Sequence, residues 1–444
     1  MNAIDDPSSS QSALLSFTAE NVRSYRDEVR LVLEGTRMTE EGVARHLDIA
    51  GSSKPVTVLP AAGIFGANAS GKTAILEAMD DMRFVVMSSF HRKDRTSSIF
   101  RRPFLLDDKS RRRPSRFEIE LILTGVRWQY GFEIDDERVL AEYAYHYPRG
   151  RPAMVFDRQP DRLDLGPPFR ASGRVLEKLV RDDSLFLSVA AAADNEGLSP
   201  LEAWFRGNLM LANAGNRGVR AAFTADLLQS PDSKGRVLSL LRYADLGVTD
   251  AHRESPDPES LDRVRKVLQA LHGSEEPAGV DDELILDAVV RLTHSGPTGE
   301  SQIAPEDESQ GTQVWLGLIG PVLTALNSGA VLLVDELDAS LHPHLVRRLI
   351  NLFQDQRTNL RCAQIVFNSH DTGILGDSDQ RVIGRDQIWF TKKDLDGVTT
   401  LYPLTDFAPR RDDALERRYR QGRYGAVPSM NPAEVDRALG LVDT

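Results

Sequence analysis

The chain alternates short apolar runs with segments whose apolar residues recur every three or four positions. The run 61–65 precedes one such segment, and the runs 331–334 and 363–367 flank another that spans 345–353. A short apolar run predicts a buried strand, and a three- to four-residue spacing predicts an amphipathic helix. Strands that alternate with helices in this way are typical of an α/β fold with a largely parallel sheet.

Other parts of the chain predict antiparallel strands. Residues 117–134 read as two paired strands around Gly125, and we expect their sheet to continue through 138–157. An Asp-Gly pair at 396–397 predicts the turn of a second hairpin. Further strands are predicted at 14–34, 282–294, 387–391 and 398–404.

Residues 66–73 form the clearest chemical motif. They fit G-x-x-x-x-G-K-[S/T] and lie between a predicted strand and a predicted helix, as this motif requires. Backbone N–H groups of such a loop form a nest for phosphate oxygens, so we expect Lys72 to reach the β- and γ-phosphates of ATP and Thr73 to ligate Mg²⁺. The alternative is a glycine-rich turn before an ordinary helix. The candidate nucleotide-binding residues of the loop are Gly66, Ala67, Asn68, Ala69, Ser70, Gly71, Lys72 and Thr73.

Two adjacent carboxylates follow the apolar run 331–334. Asp335 and Glu336 are predicted at the carboxyl end of a buried strand, where open α/β sheets place groups that contact ligands. We expect Asp335 to hold Mg²⁺, directly or through water, and Glu336 to orient and deprotonate the attacking water. These assignments predict an ATPase. The alternative is an acidic strand-to-loop turn.

Two further segments contain groups that suit phosphate. His370 follows the apolar run 363–367, and its imidazole can donate a hydrogen bond in either protonation state. A histidine at a strand end is otherwise a hydrogen-bonded structural residue. Ser309 and Gly311 precede another segment of helical spacing, and these residue types at a helix N-terminus suit phosphate binding. A Ser-Gly helix cap is the alternative.

Several local sequences are those of a known group of proteins. With these motifs the chain resembles the SMC/RecF-like branch of ABC ATPases, and more narrowly the bacterial RloA/AbiLi-type AAA family ATPases of phage defence and abortive infection. The resemblance implies an ABC-type P-loop NTPase head with a mixed sheet, an antiparallel β-subdomain and an inserted helical lobe. Besides the phosphate loop, it rests on Glu20-Asn21-Val22-Arg23-Ser24-Tyr25, Glu118-Ile119-Glu120, Tyr130-Gly131-Phe132-Glu133, Ser309-Gln310-Gly311-Thr312-Gln313, Asp335-Glu336-Leu337-Asp338-Ala339-Ser340-Leu341-His342-Pro343 and Gly422-Arg423-Tyr424-Gly425-Ala426-Val427-Pro428.

The resemblance also implies roles for particular residues and partners. His370 is implied as the switch that contacts the γ-phosphate, and Asp338 as part of a loop that crosses to a second subunit. Ser309 and Gly311 are implied to bind the γ-phosphate held by the other subunit, so that ATP joins a homodimer or a higher assembly of dimers. Such proteins usually act beside a nuclease or toxin effector encoded nearby, which implies a sensor or regulator in antiphage defence.

The stretch from about 170 to 275 has a helical pattern without a sustained heptad repeat, which favours a compact lobe over a coiled coil. Proline-containing breaks interrupt it at 230–232 and 255–258. We therefore expect the following domains: a disordered lead-in at 1–13, the first part of the ATPase head at 14–165, a helical insertion lobe at 166–281, the second part of the head at 282–408 and a C-terminal tail at 409–444.

Composition limits the remaining possibilities. A chain of 444 residues exceeds the usual size of one domain, so one large domain with an insertion, or two domains, is expected. No run approaches the roughly 18 apolar residues of a membrane span, and the N-terminus lacks the pattern of a secretory signal. Cys362 is the only cysteine, which excludes an intrachain disulfide. These observations predict a cytoplasmic protein without membrane association.

Charge is distributed unevenly along the chain. The net charge of −12 argues against a protein that coats nucleic acid over its whole surface. The segment 92–116 is nevertheless rich in arginine and lysine and could contact nucleic-acid phosphates, although a solvated loop is the plainer interpretation. A DNA-binding ATPase of the RecF/SMC kind therefore stays open beside the defence regulator. The helical insertion and the SMC-like opening strand disfavour the nucleotide-binding subunit of a transporter.

Overall fold

The computed structural model describes residues 12–90, 99–244, 247–254, 289–304, 307–376 and 381–428, and the single residues 433, 435, 437 and 439. Within them the strands, in chain order, are β1 (Ala13–Glu20), β2 (Val29–Val32), β3 (Arg45–Leu47), β4 (Val56–Val58), β5 (Ala61–Gly66), β6 (Ser115–Leu123), β7 (Val126–Ile134), β8 (Val139–His146), β9 (Ala153–Gln159), β10 (Arg162–Leu165), β11 (Leu209–Ala212), β12 (Val248–Glu254), β13 (Val289–Gly296), β14 (Gly299–Ile303), β15 (Val331–Val334), β16 (Gln364–Asn368), β17 (Ile388–Lys393) and β18 (Thr399–Pro403). The α-helices are α1 (Lys72–Ser88), α2 (Asp108–Arg112), α3 (Arg170–Glu177), α4 (Phe186–Ala192), α5 (Ser199–Asn208), α6 (Arg217–Leu227), α7 (Pro231–Tyr243), α8 (Gln310–Ser328), α9 (Pro343–Gln354) and α10 (Leu415–Arg420). Single 3₁₀ turns occur at Pro167–Phe169, Thr372–Ile374, Arg385–Gln387 and Leu404–Phe407.

An antiparallel sheet forms one layer of the molecule, in the order β10-β9-β8-β7-β6-β1-β2. Its predicted hairpin is present, since β6 and β7 are joined at Thr124 and Gly125, whose φ values of 50° and 72° suit a type I′ turn. In the first part of β6, Phe117 and Ile119 are buried, while the residues at 116, 118 and 120 are half-buried. This alternation is typical of an antiparallel sheet with one face packed on a core.

A six-stranded sheet carries the phosphate loop. Its order is β11-β15-β16-β5-β17-β18, with five parallel strands and β18 antiparallel at one edge. The strands β5 and β15 are buried along their whole length because both faces of the sheet are covered. Because β15, β16, β5 and β17 are parallel, their carboxyl ends lie along one edge of the sheet. In this order β16 lies between β5, which precedes the phosphate loop, and β15, which precedes Asp335.

Two apolar cores lie on the two faces of this sheet. Ala62 and Ile64 belong to the core shared with α1 and the antiparallel sheet. Ala61 and Phe65 belong to the core shared with α8 and α9. Since successive side chains of a strand point to opposite faces, β5 is packed from both sides and fixes the position of the loop that follows it.

The fold class predicted from the sequence is confirmed. The chain forms an ABC-type P-loop head with a mixed central sheet and an antiparallel β-subdomain, and helices α3 to α7 are inserted between the two parts of the head. The inserted segment is less helical than predicted, however. Leu209–Ala212 forms β11 and pairs in parallel with β15, and Val248–Glu254 forms β12 in a small sheet with β13 and β14.

A four-residue apolar run cannot by itself distinguish a strand from a buried helix turn, so the pairing with β15 decides the conformation of β11. The helical pattern predicted after residue 254, and the first residues of the strand predicted from 282, lie outside the described residues.

The C-terminal segment packs on the central sheet. The hairpin predicted around residues 396–397 is present as β17 and β18. Phe390 of β17 stacks against Tyr419 and Tyr424, with ring centroids 5.5 and 5.1 Å apart. No helix in the described part of the chain is long and apolar enough to cross a membrane.

Candidate active site

The phosphate loop connects β5 to α1 at the edge of the central sheet. Ala69 and Gly71 have positive φ values of 59° and 101°. Left-handed residues in such a loop turn successive N–H groups toward one point, an arrangement that binds anions. A side chain at position 71 has no room, because a Cβ there would lie 2.5 Å from Oγ1 of Thr399. The loop therefore has the backbone conformation that its sequence motif predicts.

Lys72 begins α1, and its side chain folds back over the loop. Its ammonium donates to the carbonyl oxygens of Gly66 and Ala67 at 2.9 and 3.0 Å. A lysine ammonium has three donors, so one N–H remains for an incoming anion. Burial lowers the pKa of Lys72, and three nearby carboxylates oppose that shift, namely Asp338, Glu336 and Asp335.

Thr73, Asp335 and Asn368 form one hydrogen-bonded cluster. The Thr73 hydroxyl donates to Oδ1 of Asp335 at 2.8 Å, and the Asn368 amide donates to the same oxygen at 2.5 Å. Asn368 ends β16, the strand between those that lead to Thr73 and Asp335, so its amide spans the gap between the two residues. The sequence pattern predicts one metal ion bound by Thr73 and Asp335, and it indicates no role for Asn368.

The donor atoms of this cluster fit Mg²⁺. This ion prefers oxygen ligands at about 2.0–2.1 Å in octahedral geometry, so neighbouring ligands are about 3 Å apart. The Thr73 and Asp335 oxygens are separated by 2.8 Å. Among the described residues, no group of three or more His, Cys, Asp or Glu side chains could hold a metal. Two protein oxygens suit an ion that keeps water and phosphate as its other ligands.

Glu336 follows the cluster and lines the adjoining cavity with an exposed side chain. Its backbone is left-handed, with a φ of 51°, and its N–H donates to Oδ1 of Asn368 at 2.6 Å. A left-handed residue other than glycine is strained and persists only where its surroundings hold it. Asn368 therefore positions both acidic residues, Asp335 through its NH₂ group and Glu336 through its carbonyl oxygen.

His370 and Asp338 meet at the same end of the sheet. The backbone N–H of His370 donates to Oδ1 of Asp338 at 3.0 Å. The His370 side chain is exposed and lines the cavity. Asp338 is half-buried, and its charge acts on Lys72. The loop after β15 is thus bonded to the backbone of the segment after β16.

Ser309 and Gly311 lie at the start of α8 and do not line this cavity. Ser309 caps the helix by accepting a hydrogen bond from the Thr312 N–H at 3.1 Å. A Cβ at Gly311 would lie 2.8 Å from the carbonyl oxygen of Ser340, which belongs to the loop after Asp338. The two segments 309–311 and 338–340 therefore form one surface, on which Ser309 and Ser340 are exposed.

On the other side of the phosphate loop, hydroxyl groups join it to the hairpin of β17 and β18. The Ser70 and Thr391 hydroxyl oxygens are 2.6 Å apart. The Thr399 hydroxyl lies 3.1 Å from the carbonyl oxygen of Ser70 and 2.9 Å from the hydroxyl of Ser24. These bonds connect segments that are far apart in sequence, and the sequence analysis did not predict them.

These groups surround one cavity of about 450 Å³. The predicted site residues that line it are 68–73, Glu336 and His370. Gly66, Ala67 and Asp335 form hydrogen bonds with lining residues. A larger open groove of about 660 Å³, beside α7 and α8, contains none of the predicted site residues. Lining residues that received no role from the sequence are Arg23, Ser24, Ala74, Glu77, Asn368 and Lys393.

One of these could have been found from the sequence. Asn368 ends a predicted strand two residues before His370, so a polar group at the sheet edge was visible there. Lys393 had no comparable signal, because its place at the cavity depends on the pairing of β17 with β5.

Three arginines in the described part of the basic segment 92–116 make contacts within the chain. The Arg101 side chain is 2% exposed and pairs with Asp136 at 2.5 Å. The Arg102 guanidinium lies over the Phe100 ring at 5.2 Å. Arg116 pairs with Glu28 and Glu118. The arginines of this segment that precede residue 99 lie outside the described residues.

Among solved structures, SMC head domains are similar to this chain. The SMC head bound to the C-winged helix domain of ScpA is 14% identical, with 88% of this chain and 97% of that chain covered and a TM-score of 0.42. The SMC head domain from Thermotoga maritima is 11% identical, with 88% and 98% covered and a TM-score of 0.37. An SMC head domain with an extended coiled coil, bound to the C-terminal domain of ScpA derived from Pyrococcus furiosus, is 12% identical, with 89% and 98% covered and a TM-score of 0.38.

No curated protein matches the chain in sequence. A family model described as "AAA domain, putative AbiEii toxin, Type IV TA system" matches residues 61–376. The matched range is more than half of the chain and runs from the first residue of β5 to beyond His370. It therefore contains the phosphate loop and all the other predicted site residues. The chain belongs to this family of AAA-domain ATPases.

Proposed function

We propose that this protein binds ATP with Mg²⁺, hydrolyses it, forms a homodimer around ATP, and thereby regulates a partner effector in antiphage defence. The observation that carries the ATPase assignment is the bonded cluster of Thr73, Asp335 and Asn368 beside Lys72. It combines two oxygen ligands with a cation in a phosphate-binding loop. Membership of an AAA-domain family supports the same assignment.

In this proposal the phosphate loop binds the nucleotide with its backbone N–H groups and with Lys72. The ammonium exchanges its bonds to the Gly66 and Ala67 carbonyl oxygens for bonds to phosphate oxygens, while the cavity excludes part of the solvent around them. Mg²⁺ held by Thr73 and Asp335 would neutralise negative charge on the phosphates.

Glu336 is proposed as the general base. Its side chain lines the cavity, and Asn368 fixes its backbone by the bond to the Glu336 N–H. A carboxylate in this position orients a water molecule and accepts its proton as the water attacks the γ-phosphate. His370 lines the same part of the cavity and would donate a hydrogen bond to the γ-phosphate.

The proposed homodimer rests on the surface formed by Ser309, Gly311 and the loop after Asp338. Its groups suit phosphate, since Ser309 stands at the N-terminus of the 19-residue helix α8, yet it lies away from the cavity of its own chain. In a symmetric dimer each such surface faces the cavity of the other copy. Asp338 accepts a hydrogen bond from the backbone N–H of His370 and would then connect hydrolysis with opening of the dimer.

The proposed place in defence rests on the family and on the resemblance to RloA/AbiLi-type ATPases. The family description names a putative toxin and a toxin–antitoxin system. We propose that this chain is the ATP-dependent regulator of such a pair and that a nuclease or toxin is its effector. On this view the protein acts in the cytoplasm, where phage nucleic acid and ATP are both present.

The proposal is tested by measuring the mass of wild-type protein and Glu336→Gln with and without Mg-ATP, each expressed together with the neighbouring genes. We expect an ATP-dependent dimer that carries a second protein, with the larger share in the Glu336→Gln variant. A monomer that binds no ATP would contradict the ATPase assignment. A dimer without any second protein would contradict the regulatory part alone.

A DNA-binding ATPase of the RecF/SMC kind is the alternative. The described arginines at 101, 102 and 116 are engaged in contacts within the chain, so they do not favour it. Salt-dependent binding of duplex DNA by the purified dimer would support this alternative, because such binding weakens as salt competes for the phosphates.

A further inference from the structure

Three cations line the cavity in the described part of the chain, and Lys393 differs from the other two. Lys72 donates to carbonyl oxygens of the phosphate loop. Arg23 pairs with Glu77 and Asp81 of α1. Among the residues that the structure describes, no carboxylate or other acceptor pairs with the Lys393 ammonium. It is therefore the one described cation at the cavity whose donors are all available.

The position of Lys393 is fixed by the hairpin that carries it. In β17, Thr391 pairs with Gly66 of β5, and the Thr391 hydroxyl contacts Ser70. Alternate residues of a strand share a face, so Lys393 lies on the face of β17 that carries Thr391. Across the hairpin it is opposite Thr399, which is bonded to the loop at Ser70.

The turn beyond Lys393 is ordered by Asp394. Its Oδ1 accepts the N–H groups of Asp396 and Val398 at 3.0 and 2.8 Å. The neighbouring carboxylate is thus engaged in the turn and does not pair with Lys393. Lys392 lies on the opposite face of β17 and is exposed, without a place in the cavity.

The order of the central sheet indicates which part of a nucleotide Lys393 faces. Asp335, Glu336 and Asn368 lie at the carboxyl ends of β15 and β16, on one side of β5. Lys393 is the last residue of β17, on the other side of β5. In the proposed site the γ-phosphate and the attacking water lie beside Glu336. The nucleotide then extends across the phosphate loop, so that its α-phosphate and ribose lie toward Lys393.

We propose that the Lys393 ammonium binds the α-phosphate of the nucleotide and so holds the end of ATP that is not hydrolysed. This inference rests on the proposed ATP binding. A phosphate oxygen and an ammonium form a charge-assisted hydrogen bond, which is stronger than a bond between neutral groups. Because the α-phosphate is common to ATP and ADP, the contact persists after hydrolysis.

The test compares Lys393→Ala with Lys392→Ala, since both remove one positive charge from the same strand. Affinities for Mg-ATP and Mg-ADP are measured by titration calorimetry for the wild-type protein and both variants. We expect Lys393→Ala to weaken the binding of both nucleotides by about ten-fold, as for one lost charge-assisted bond, and Lys392→Ala to change neither by more than about two-fold. Lys393→Arg is expected to recover most of the loss.

Each other outcome overturns the inference. Equal affinities of Lys393→Ala and wild type exclude a contact with the nucleotide. A loss for ATP without a loss for ADP places the ammonium at the γ-phosphate. Equal losses in Lys392→Ala and Lys393→Ala indicate a general effect of charge. If the wild-type protein binds neither nucleotide, the proposed ATP binding is wrong as well. If it binds both and Lys393→Ala binds them equally well, only the proposed role of Lys393 is wrong.

Discussion

Two regions are proposed to contact ATP phosphates, the cluster beside Lys72 and the start of α8 at Ser309. They differ in how their polar groups are paired within the chain. Lys72, Thr73, Asp335 and Asn368 bond to one another or to the loop, and the bonds extend across three neighbouring strands. Within the described residues, the Ser309 hydroxyl bonds only to Thr312 at the start of its own helix. The cluster beside Lys72 therefore depends on the tertiary fold, whereas the arrangement at Ser309 depends on one helix end.

Because of this difference, substitutions can affect nucleotide binding and dimerisation separately. A change in the bonded cluster acts on nucleotide binding and hydrolysis by one chain. A change at the exposed surface of Ser309 leaves the cavity intact and acts, in our proposal, only on the contact with a second copy.

Glu336→Gln is expected to reduce the rate of ATP hydrolysis by about 10³-fold, because the general base is lost while the shape of the side chain is kept. ATP affinity is expected to stay close to that of the wild type. Phosphate release measures the first and calorimetry the second. Hydrolysis at the wild-type rate would exclude Glu336 as the base. Asp396→Asn, an exposed change of the same charge in the hairpin turn, serves as the control.

Lys72→Ala is expected to weaken ATP binding by about 100-fold, since the carbonyl oxygens of Gly66 and Ala67 would face the phosphates without the ammonium between them. Calorimetry with Mg-ATP measures this affinity. Lys54→Ala, an exposed lysine outside the cavity, is the matched control. Retained affinity in Lys72→Ala would contradict the assignment of the loop.

Asn368→Asp is expected to reduce hydrolysis by about 10- to 100-fold, as found for groups that orient metal ligands. The new carboxylate would face Oδ1 of Asp335, where the amide now donates at 2.5 Å, and would repel it. Hydrolysis is measured against Mg²⁺ concentration, and a higher requirement for Mg²⁺ is expected. Asn327→Asp, on an exposed part of α8, should behave as the wild type. An unchanged Mg²⁺ requirement would mean that Asn368 only supports the backbone of Glu336.

Ser309→Asp is expected to reduce ATP-dependent dimerisation by about ten-fold or more, because a carboxylate would oppose the γ-phosphate of the partner's nucleotide. Asp and Asn are both good helix caps, so Ser309→Asn keeps the cap without the charge and is the control. Mass measurement with Mg-ATP reports the dimer, and calorimetry reports binding by the single chain. If Ser309→Asp lost affinity as a monomer, the separation of the two segments would be wrong.

The pH dependence of ATP binding is expected to be the smallest effect. Burial lowers the pKa of Lys72 from its ordinary value, so the ammonium loses its proton at a lower pH than an exposed lysine. Since the protonated form binds phosphate, affinity should fall a few-fold as the pH is raised from about 7 to the ordinary pKa of lysine, about 10.4. Calorimetry at both pH values measures it. An affinity that is constant with pH would contradict the role of the buried ammonium.

The parts of the site that the sequence predicted are those specified within a few residues. The loop of residues 66–73 and the pair Asp335-Glu336 follow apolar runs directly, so their place at the carboxyl ends of strands was visible. The hairpins around Gly125 and Gly397 carry local turn signals and were predicted for the same reason.

The remaining features depend on the order of strands in the sheet, which the local pattern does not contain. Asn368 gains its role because β16 lies between β5 and β15. The run Leu209–Ala212 becomes a strand because β15 offers it an edge. The surface shared by Gly311 and Ser340 arises from contact between segments about thirty residues apart. Each of these needs the tertiary structure before it can be assigned.

The bond between Thr399 and Ser70 joins two residues that are 329 positions apart in the chain. A ribosome synthesises the chain from its N-terminus, so the phosphate loop emerges long before the hairpin that supports it. Until Thr399 has been added, the nascent chain has the complete motif of residues 66–73 but lacks the bonds from Thr391 and Thr399 that hold the loop. If the proposed nucleotide site needs these bonds, we expect nucleotide to bind only after the chain has been made at least as far as this hairpin.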